Sequence, residues 1–94
     1  MNQQQQLREA KILFASGQLE KSIDSFDRAE EQGSDIIDTC LSRGAALVAL
    51  RRFEEAERDF SSVLETDSDN ERAYYFRGVA RAALGQYQAA ILDL

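Results

Sequence analysis

The side-chain sizes of this chain repeat every 34 residues, and this repeat limits the possible fold more than any other feature. One repeat position always holds a bulky apolar residue: Leu19, Phe53 and Tyr87. Another always holds a small residue: Ser22, Ala56 and Ala90. A third holds the smallest residues: Ala10, Gly44 and Gly78. Because a contact between helices needs a small residue opposite a large one, this pattern predicts similar helix pairs stacked against one another.

Apolar residues within each repeat recur at helical spacing. The pattern predicts six helices, at residues 3–16, 19–32, 36–50, 53–66, 71–84 and from 87 onward. Gly17 and Gly85 suit the left-handed residue that closes a helix. The segments 33–35 and 67–70 combine a turn with N-capping side chains. Because the linkers are only two to four residues long, neighbouring helices are expected to run antiparallel.

This pattern resembles the tetratricopeptide repeat family. The residues that carry the resemblance are, unit by unit, Ala10, Leu13, Gly17, Leu19, Ser22, Phe26 and Ala29, then Gly44, Leu47, Phe53, Ala56 and Phe60, then Tyr74, Gly78, Leu84, Gly85, Tyr87 and Ala90. The resemblance implies an all-α, right-handed superhelical array of antiparallel helix pairs. It makes residues 1–94 one domain, with units at about 3–36, 37–70 and 71–94.

The sequence departs from the family pattern at a few positions. Arg51 stands where the other two units have glycine. Glu9, Arg43 and Arg77 occupy a site that the family usually fills with a bulky apolar residue. These departures do not change the predicted fold.

The third unit is incomplete. A complete unit would reach about residue 104, but the sequence ends at Leu94. The sequence therefore predicts either a piece of a longer protein or an array that closes against another molecule. Tyr87, Ala90, Ile91 and Leu94 form an apolar stripe on the last helix. We expect this stripe to be frayed or buried in a contact between copies of the chain.

The charge of the chain narrows its possible partners. The formal net charge is -6 and the isoelectric point is about 4.5. An acidic surface repels phosphate, so we expect neither a nucleic-acid partner nor a membrane partner. The single cysteine excludes an intrachain disulfide, and no apolar segment resembles a signal sequence. Both features suit a cytoplasmic protein.

Residues that could carry catalysis are nearly absent. The chain has no histidine, which removes the usual general base near neutral pH and the commonest metal ligand. We therefore expect no enzyme activity, no cofactor and no metal site. Cys40 is expected to be a buried packing residue, whose pKa Asp35 and Asp38 would raise. The charged run 51–59 is expected to be a solvated helix face with local ion pairs.

The predicted shape offers a different candidate function. In the family that the chain resembles, the first helix of each unit lines a concave face. Helical spacing then selects the candidate peptide-binding residues Leu7, Arg8, Lys11, Phe14, Leu41, Ser42, Ala45, Val48, Arg72, Tyr75, Phe76 and Val79. The middle of this set is apolar, and Arg8, Lys11 and Arg72 form a cationic rim. Such a surface suits an amphipathic helix or an extended peptide that bears an acidic group.

Two functions follow as hypotheses. The first is a non-catalytic scaffold that binds a peptide or helix of a protein partner on the concave face. The alternative is a structural segment whose groove and open C-terminal end pack against copies of itself or the rest of its chain.

Some members of the resembled family grip the terminal carboxylates of heat-shock chaperones with lysine, asparagine and arginine side chains. By spacing, those places here hold Leu7, Lys11, Ser42, Arg72 and Phe76. Only Lys11 and Arg72 carry a suitable charge. Because only two of the five positions match, we expect this chain not to bind chaperone tails.

Overall fold

The computed structural model describes residues 2–94, which form six α-helices and no strand. The helices are α1 (Gln3–Ala15), α2 (Leu19–Glu31), α3 (Ile36–Ala49), α4 (Phe53–Thr66), α5 (Glu71–Ala83) and α6 (Tyr87–Asp93). All the predicted helices are present, and the predicted C-terminal ends lie within one residue of the observed ones. Within residues 2–94, the helices are too short or too polar to cross a bilayer.

Each helix packs against the helices that precede and follow it in the chain. In addition, α3 contacts both α1 and α5, so the first helices of the three pairs lie side by side in one layer. The resulting array measures 42 × 26 × 17 Å. The predicted all-α array of antiparallel helix pairs is confirmed.

Every first helix closes with the same backbone geometry. Gly17 and Gly85 have φ values of 81° and 82°, as predicted for the residue after a helix. At both places the next amide donates to a carbonyl five residues earlier, from Gln18 to Leu13 and from Gln86 to Arg81. Arg51 adopts the same left-handed conformation, with φ 63°. The geometry of the helix end, rather than the residue type, therefore sets this conformation.

The repeated sizes correspond to repeated packing. The small residues Ser22 and Ala56 are fully buried, and Ala90 is 2% exposed. Phe60, which is also fully buried, lies against the bare Cα of Gly44 and stacks on the ring of Phe76, with 5.6 Å between ring centroids. Close approach of neighbouring helices is thus possible because the small positions leave room for the large ones.

Most of the charged run 51–59 is at least partly exposed and includes a local ion pair between Arg52 and Glu55, as predicted, but Asp59 does not belong to this solvated face. Asp59 is buried, and its carboxylate accepts two hydrogen bonds from Arg43 on the adjacent helix α3. Arg77 and Asp93 form the same pair 34 residues later. The two arginines that departed from the family pattern are therefore satisfied inside the array by aspartates.

The apolar stripe at the C-terminal end is only partly exposed. Ala90 is buried against the rest of the array, whereas the side chains of Tyr87, Ile91 and Leu94 are about two-thirds or more exposed (67%, 72% and 68%). Helix α6 continues to Asp93.

Candidate functional site

A groove of about 610 Å³ lies between α1, α3 and α5. We call it the groove, and its lining residues are Lys11, Phe14, Ala15, Asp38, Leu41, Ser42, Ala45, Arg72 and Phe76. Because α1, α3 and α5 form a single layer, each of them contributes side chains to the same surface.

The floor of the groove is apolar. Phe14, Leu41 and Phe76 are half-buried side chains that rest on the hydrophobic core with one face and line the groove with the other. Ala15 and Ala45 are too small to fill the space between them. Large residues thus form the walls while alanines leave room, so the floor can accept a bulky apolar side chain from a ligand.

Four polar side chains border this floor. Lys11 donates to Asp38 Oδ2 at 2.9 Å, which links α1 to α3. Ser42, one turn along α3, donates to Asp38 Oδ1 at 3.4 Å. Arg72, at the start of α5, is exposed and has no hydrogen bond or ion pair with any other residue of the described range 2–94.

The groove brings together seven of the twelve residues predicted to bind a peptide: Lys11, Phe14, Leu41, Ser42, Ala45, Arg72 and Phe76. The other five do not line it. Leu7, Val48 and Val79 are half-buried, Arg8 is exposed, and Tyr75 faces a separate hollow near Leu92 and Leu94. The cationic rim of three residues is therefore reduced in the groove to Lys11 and Arg72.

The other two lining residues are Ala15 and Asp38. Helical spacing places both on the predicted concave face, although neither was among the twelve candidates. A second signal in the sequence supports their position. Lys11 and Asp38 are 27 residues apart, and the same spacing joins other lining residues in pairs: Phe14 with Leu41, Ala15 with Ser42, and Ala45 with Arg72. This spacing is the repeat length shortened by two helical turns. Neighbours across the groove are therefore offset along their helices.

The only thiol of the chain lies outside the groove. Cys40 is 1% exposed, as predicted for a packing residue. Burial raises the pKa of the Cys40 thiol to about 12, with a further contribution from the negative charge of Asp59. The sequence had assigned that electrostatic effect to Asp35 and Asp38, and this assignment is wrong because Asp59 reaches the thiol from α4. Among residues 2–94, no cluster of three or more acidic or thiol side chains is arranged to hold a metal ion.

Comparisons of the sequence with known proteins agree with the helical-repeat fold. A family model described as tetratricopeptide repeat matches residues 41–94. The chain is 34% identical over 83 residues to UDP-N-acetylglucosamine--peptide N-acetylglucosaminyltransferase of Giardia intestinalis, a match that covers 88% of this chain and 6% of the transferase. It is 41% identical over 54 residues to DnaJ homolog subfamily C member 3 of Gallus gallus, covering 57% of this chain and 11% of that protein. The chain thus spans a small part of both relatives.

Solved structures with the same fold cover nearly the whole chain. The second TPR of Spaghetti (RPAP3), bound to the HSP90 peptide SRMEEVD, superposes with a TM-score of 0.91 at 24% identity and covers 99% of this chain and 86% of that one. The Arabidopsis OM64 TPR domain superposes with a TM-score of 0.90 at 25% identity, covering 97% and 75%.

Proposed function

Because this chain belongs to the tetratricopeptide repeat family, we propose that it is a non-catalytic interaction scaffold that binds a peptide or helix of a partner protein in the groove. The observation that carries this proposal is the groove itself. Its floor is formed by side chains already fixed by the core, so a ligand meets a preformed surface and little ordering of the scaffold opposes binding.

The chemistry of the lining fits a peptide. A bulky apolar side chain would contact Phe14, Leu41 and Phe76, and this burial supplies affinity. Lys11 and Arg72, two cations at the border of the groove on a protein that is otherwise acidic, would fix the orientation of the peptide and increase its association rate.

Selection from a random peptide library tests this function and does not require the partner to be identified first. The library peptides are displayed inside a carrier protein, so that both peptide ends are blocked. Ala45→Arg places a long side chain in the groove on a helix that tolerates arginine. Ala83→Arg makes the same change at an exposed alanine that does not line the groove, and it serves as the matched control.

We expect enriched peptides to bind the unchanged protein and Ala83→Arg equally, and to bind Ala45→Arg at least tenfold more weakly. Equal helix content and equal melting temperatures would show that both variants fold. If no peptide is enriched, or if the enriched peptides bind all three proteins alike, the groove is not the binding surface.

A second function is favoured by the exposed apolar side chains of α6. Tyr87, Ile91, Leu92 and Leu94 lie together near the C-terminal end and are mostly exposed, a feature typical of interaction surfaces. They would suit a structural segment that packs against a copy of itself. Sedimentation at increasing protein concentration decides this point. A mass that stays at 10.6 kDa rejects self-association, and a mass that rises and then falls back in Ile91→Glu supports it.

A further inference from the structure

Asp38 changes the charge that the groove presents to a ligand. Its carboxylate binds Lys11 at 2.9 Å and accepts a longer hydrogen bond from Ser42. All three side chains line the groove, together with Arg72. Two positive charges and one negative charge therefore give the lining a net charge of +1. Of these three charged side chains, only Arg72 has no ion-pair partner among residues 2–94.

This arrangement does not suit a ligand with several carboxylates. The first carboxylate can pair with Arg72. A second would have to approach Lys11, where Asp38 already lies and repels it. Because the side chains of Lys11 and Asp38 are both nearly half-exposed, the repulsion is moderated by water but not removed.

The apolar floor lies beside the unpaired cation. Arg72 and Phe76 are four residues apart on α5, so their side chains emerge from the same face about 6 Å apart along the helix axis. A ligand that uses both must carry a carboxylate and a bulky apolar side chain at a similar separation. Residues one turn apart in a helix, or two residues apart in an extended strand, meet this requirement.

We propose that Asp38 is a specificity-determining residue, which holds Lys11 so that the groove selects a segment with one acidic side chain next to one bulky apolar side chain. Segments with two or more neighbouring carboxylates, including acidic chain ends, are rejected. The proposal depends on the function proposed above, because it concerns the ligand of the same groove. It gives the partner a stated chemistry: an internal, singly acidic and apolar segment of another protein.

The variant Asp38→Asn tests this role. Asparagine keeps the size and a hydrogen-bond acceptor for Lys11 but removes the negative charge, so the net charge of the lining becomes +2. Asp24→Asn is the matched control, since Asp24 is exposed on α2 and does not line the groove. The same library is selected on the unchanged protein, on Asp38→Asn and on Asp24→Asn.

The unchanged protein and Asp24→Asn are expected to enrich peptides with one acidic residue at a fixed distance from a bulky apolar residue. Asp38→Asn is expected to enrich peptides with two. As a defined probe, the peptide SRMEEVD should bind Asp38→Asn about tenfold more tightly than the unchanged protein. In Arg72→Glu, the enriched acidic residue should be replaced by lysine or arginine.

The outcomes separate the two proposals. If groove-dependent peptides are enriched but contain the same number of acidic residues in all three proteins, the role of Asp38 is wrong and the binding function stands. The role is equally wrong if SRMEEVD binds the unchanged protein as tightly as it binds Asp38→Asn. If no groove-dependent peptide is enriched from any of the three, the binding function itself fails.

Discussion

Arg43 holds Asp59 with two parallel hydrogen bonds, from Nε at 2.9 Å and from Nη2 at 2.8 Å, across the contact between α3 and α4. The same arginine also reaches back to Asp27 and Glu30 on α2, so one side chain joins three helices. Arg77 and Asp93 repeat the two parallel bonds at the same distances in the next helix pair. These ion pairs therefore link the two helices of a pair at equivalent repeat positions.

Replacement of Asp59 by asparagine is expected to lower the free energy of unfolding by about 3 kcal/mol. The Arg43 side chain is only 11% exposed, and it would lose the negative charge and one of the two acceptor oxygens that raise the pKa of its guanidinium. Burial raises the pKa of the Asp59 carboxyl, so the pair is itself costly to bury and the loss is smaller than its two hydrogen bonds alone would suggest. The pairs with Asp27 and Glu30 remain, so the loss should fall at the low end for a broken buried pair. Urea unfolding followed by circular dichroism measures the change.

Asp24→Asn provides the control, because it makes the same chemical change at an exposed position of α2. It should alter the free energy of unfolding by less than about 0.5 kcal/mol. A loss for Asp59→Asn no larger than that of the control would show that the buried pair does not stabilise the array.

The sequence was sufficient for the fold because the fold depends on periodic features. Small residues such as Ala56 and Ala90 recur at a fixed interval, and each glycine after a first helix marks its end. The small residues set the close contact between neighbouring helices, and the glycines end a helix through their own backbone conformation, so both can be recognised from the sequence. The role of Arg43 was missed because its partner Asp59 lies 16 residues away on another helix. The repeated spacing was nevertheless a usable signal, because an arginine is followed by an aspartate 16 residues later in both units, at Arg43 and Asp59 and at Arg77 and Asp93.

The groove was predicted less completely for a geometric reason. Helical spacing assigns residues to the concave face of each unit, but it does not show where along each helix the groove begins and ends. Lys11 and Asp38 meet across an offset of two turns, so the groove uses a different stretch of each helix. Val48 and Val79, which lie farther along α3 and α5, are therefore outside the lining.

Gly44 and Gly78 occupy the same repeat position but should respond differently to alanine. A Cβ added at Gly44 would lie 2.6 Å from the ring of Phe60, which is fully buried and cannot move away. A Cβ added at Gly78 would lie 2.8 Å from the side chain of Leu94 and 3.2 Å from the Cβ of Asp93, but the Leu94 side chain is exposed. The first clash must be absorbed by the core, whereas rotation of the exposed Leu94 side chain relieves most of the second and leaves only the longer contact with Asp93.

We therefore expect Gly44→Ala to destabilise the protein by about 2 kcal/mol, even though alanine favours a helix. Gly78→Ala should change the stability by less than about 1 kcal/mol, because the gain in helix propensity and the remaining contact with Asp93 oppose each other. Thermal and urea unfolding of the two variants give the comparison directly. A similar loss of stability in both variants would contradict this difference. It would show that glycine is required at both positions, whether the facing side chain is buried or exposed.

Cys40 is expected to react with thiol reagents only when the protein opens. Its pKa of about 12 leaves very little thiolate at about pH 8, and the sulfur is shielded by the surrounding helices. Labelling with a chromogenic disulfide should be slow in the native protein and should accelerate with urea as the unfolded fraction grows. Fully denatured protein, which should release one equivalent at once, is the control. Rapid complete labelling without denaturant would contradict the buried position.

Arg51 has the left-handed conformation that glycine adopts at Gly17 and Gly85, and this conformation is unfavourable for a residue with a Cβ. Its guanidinium also lies 5.4 Å from the ring centroid of Phe53, a contact that offsets part of the strain. The variants Arg51→Gly and Arg51→Ala both lack this contact, so the difference between them reports only the backbone effect.

The glycine variant should be more stable than the alanine variant by about 1 kcal/mol, as measured by urea unfolding. Arg58, an exposed residue within α4, gives the reverse case, because there alanine should be more stable than glycine by a similar amount. If alanine were the more stable residue at both positions, the left-handed helix end at Arg51 would not carry the strain inferred for it.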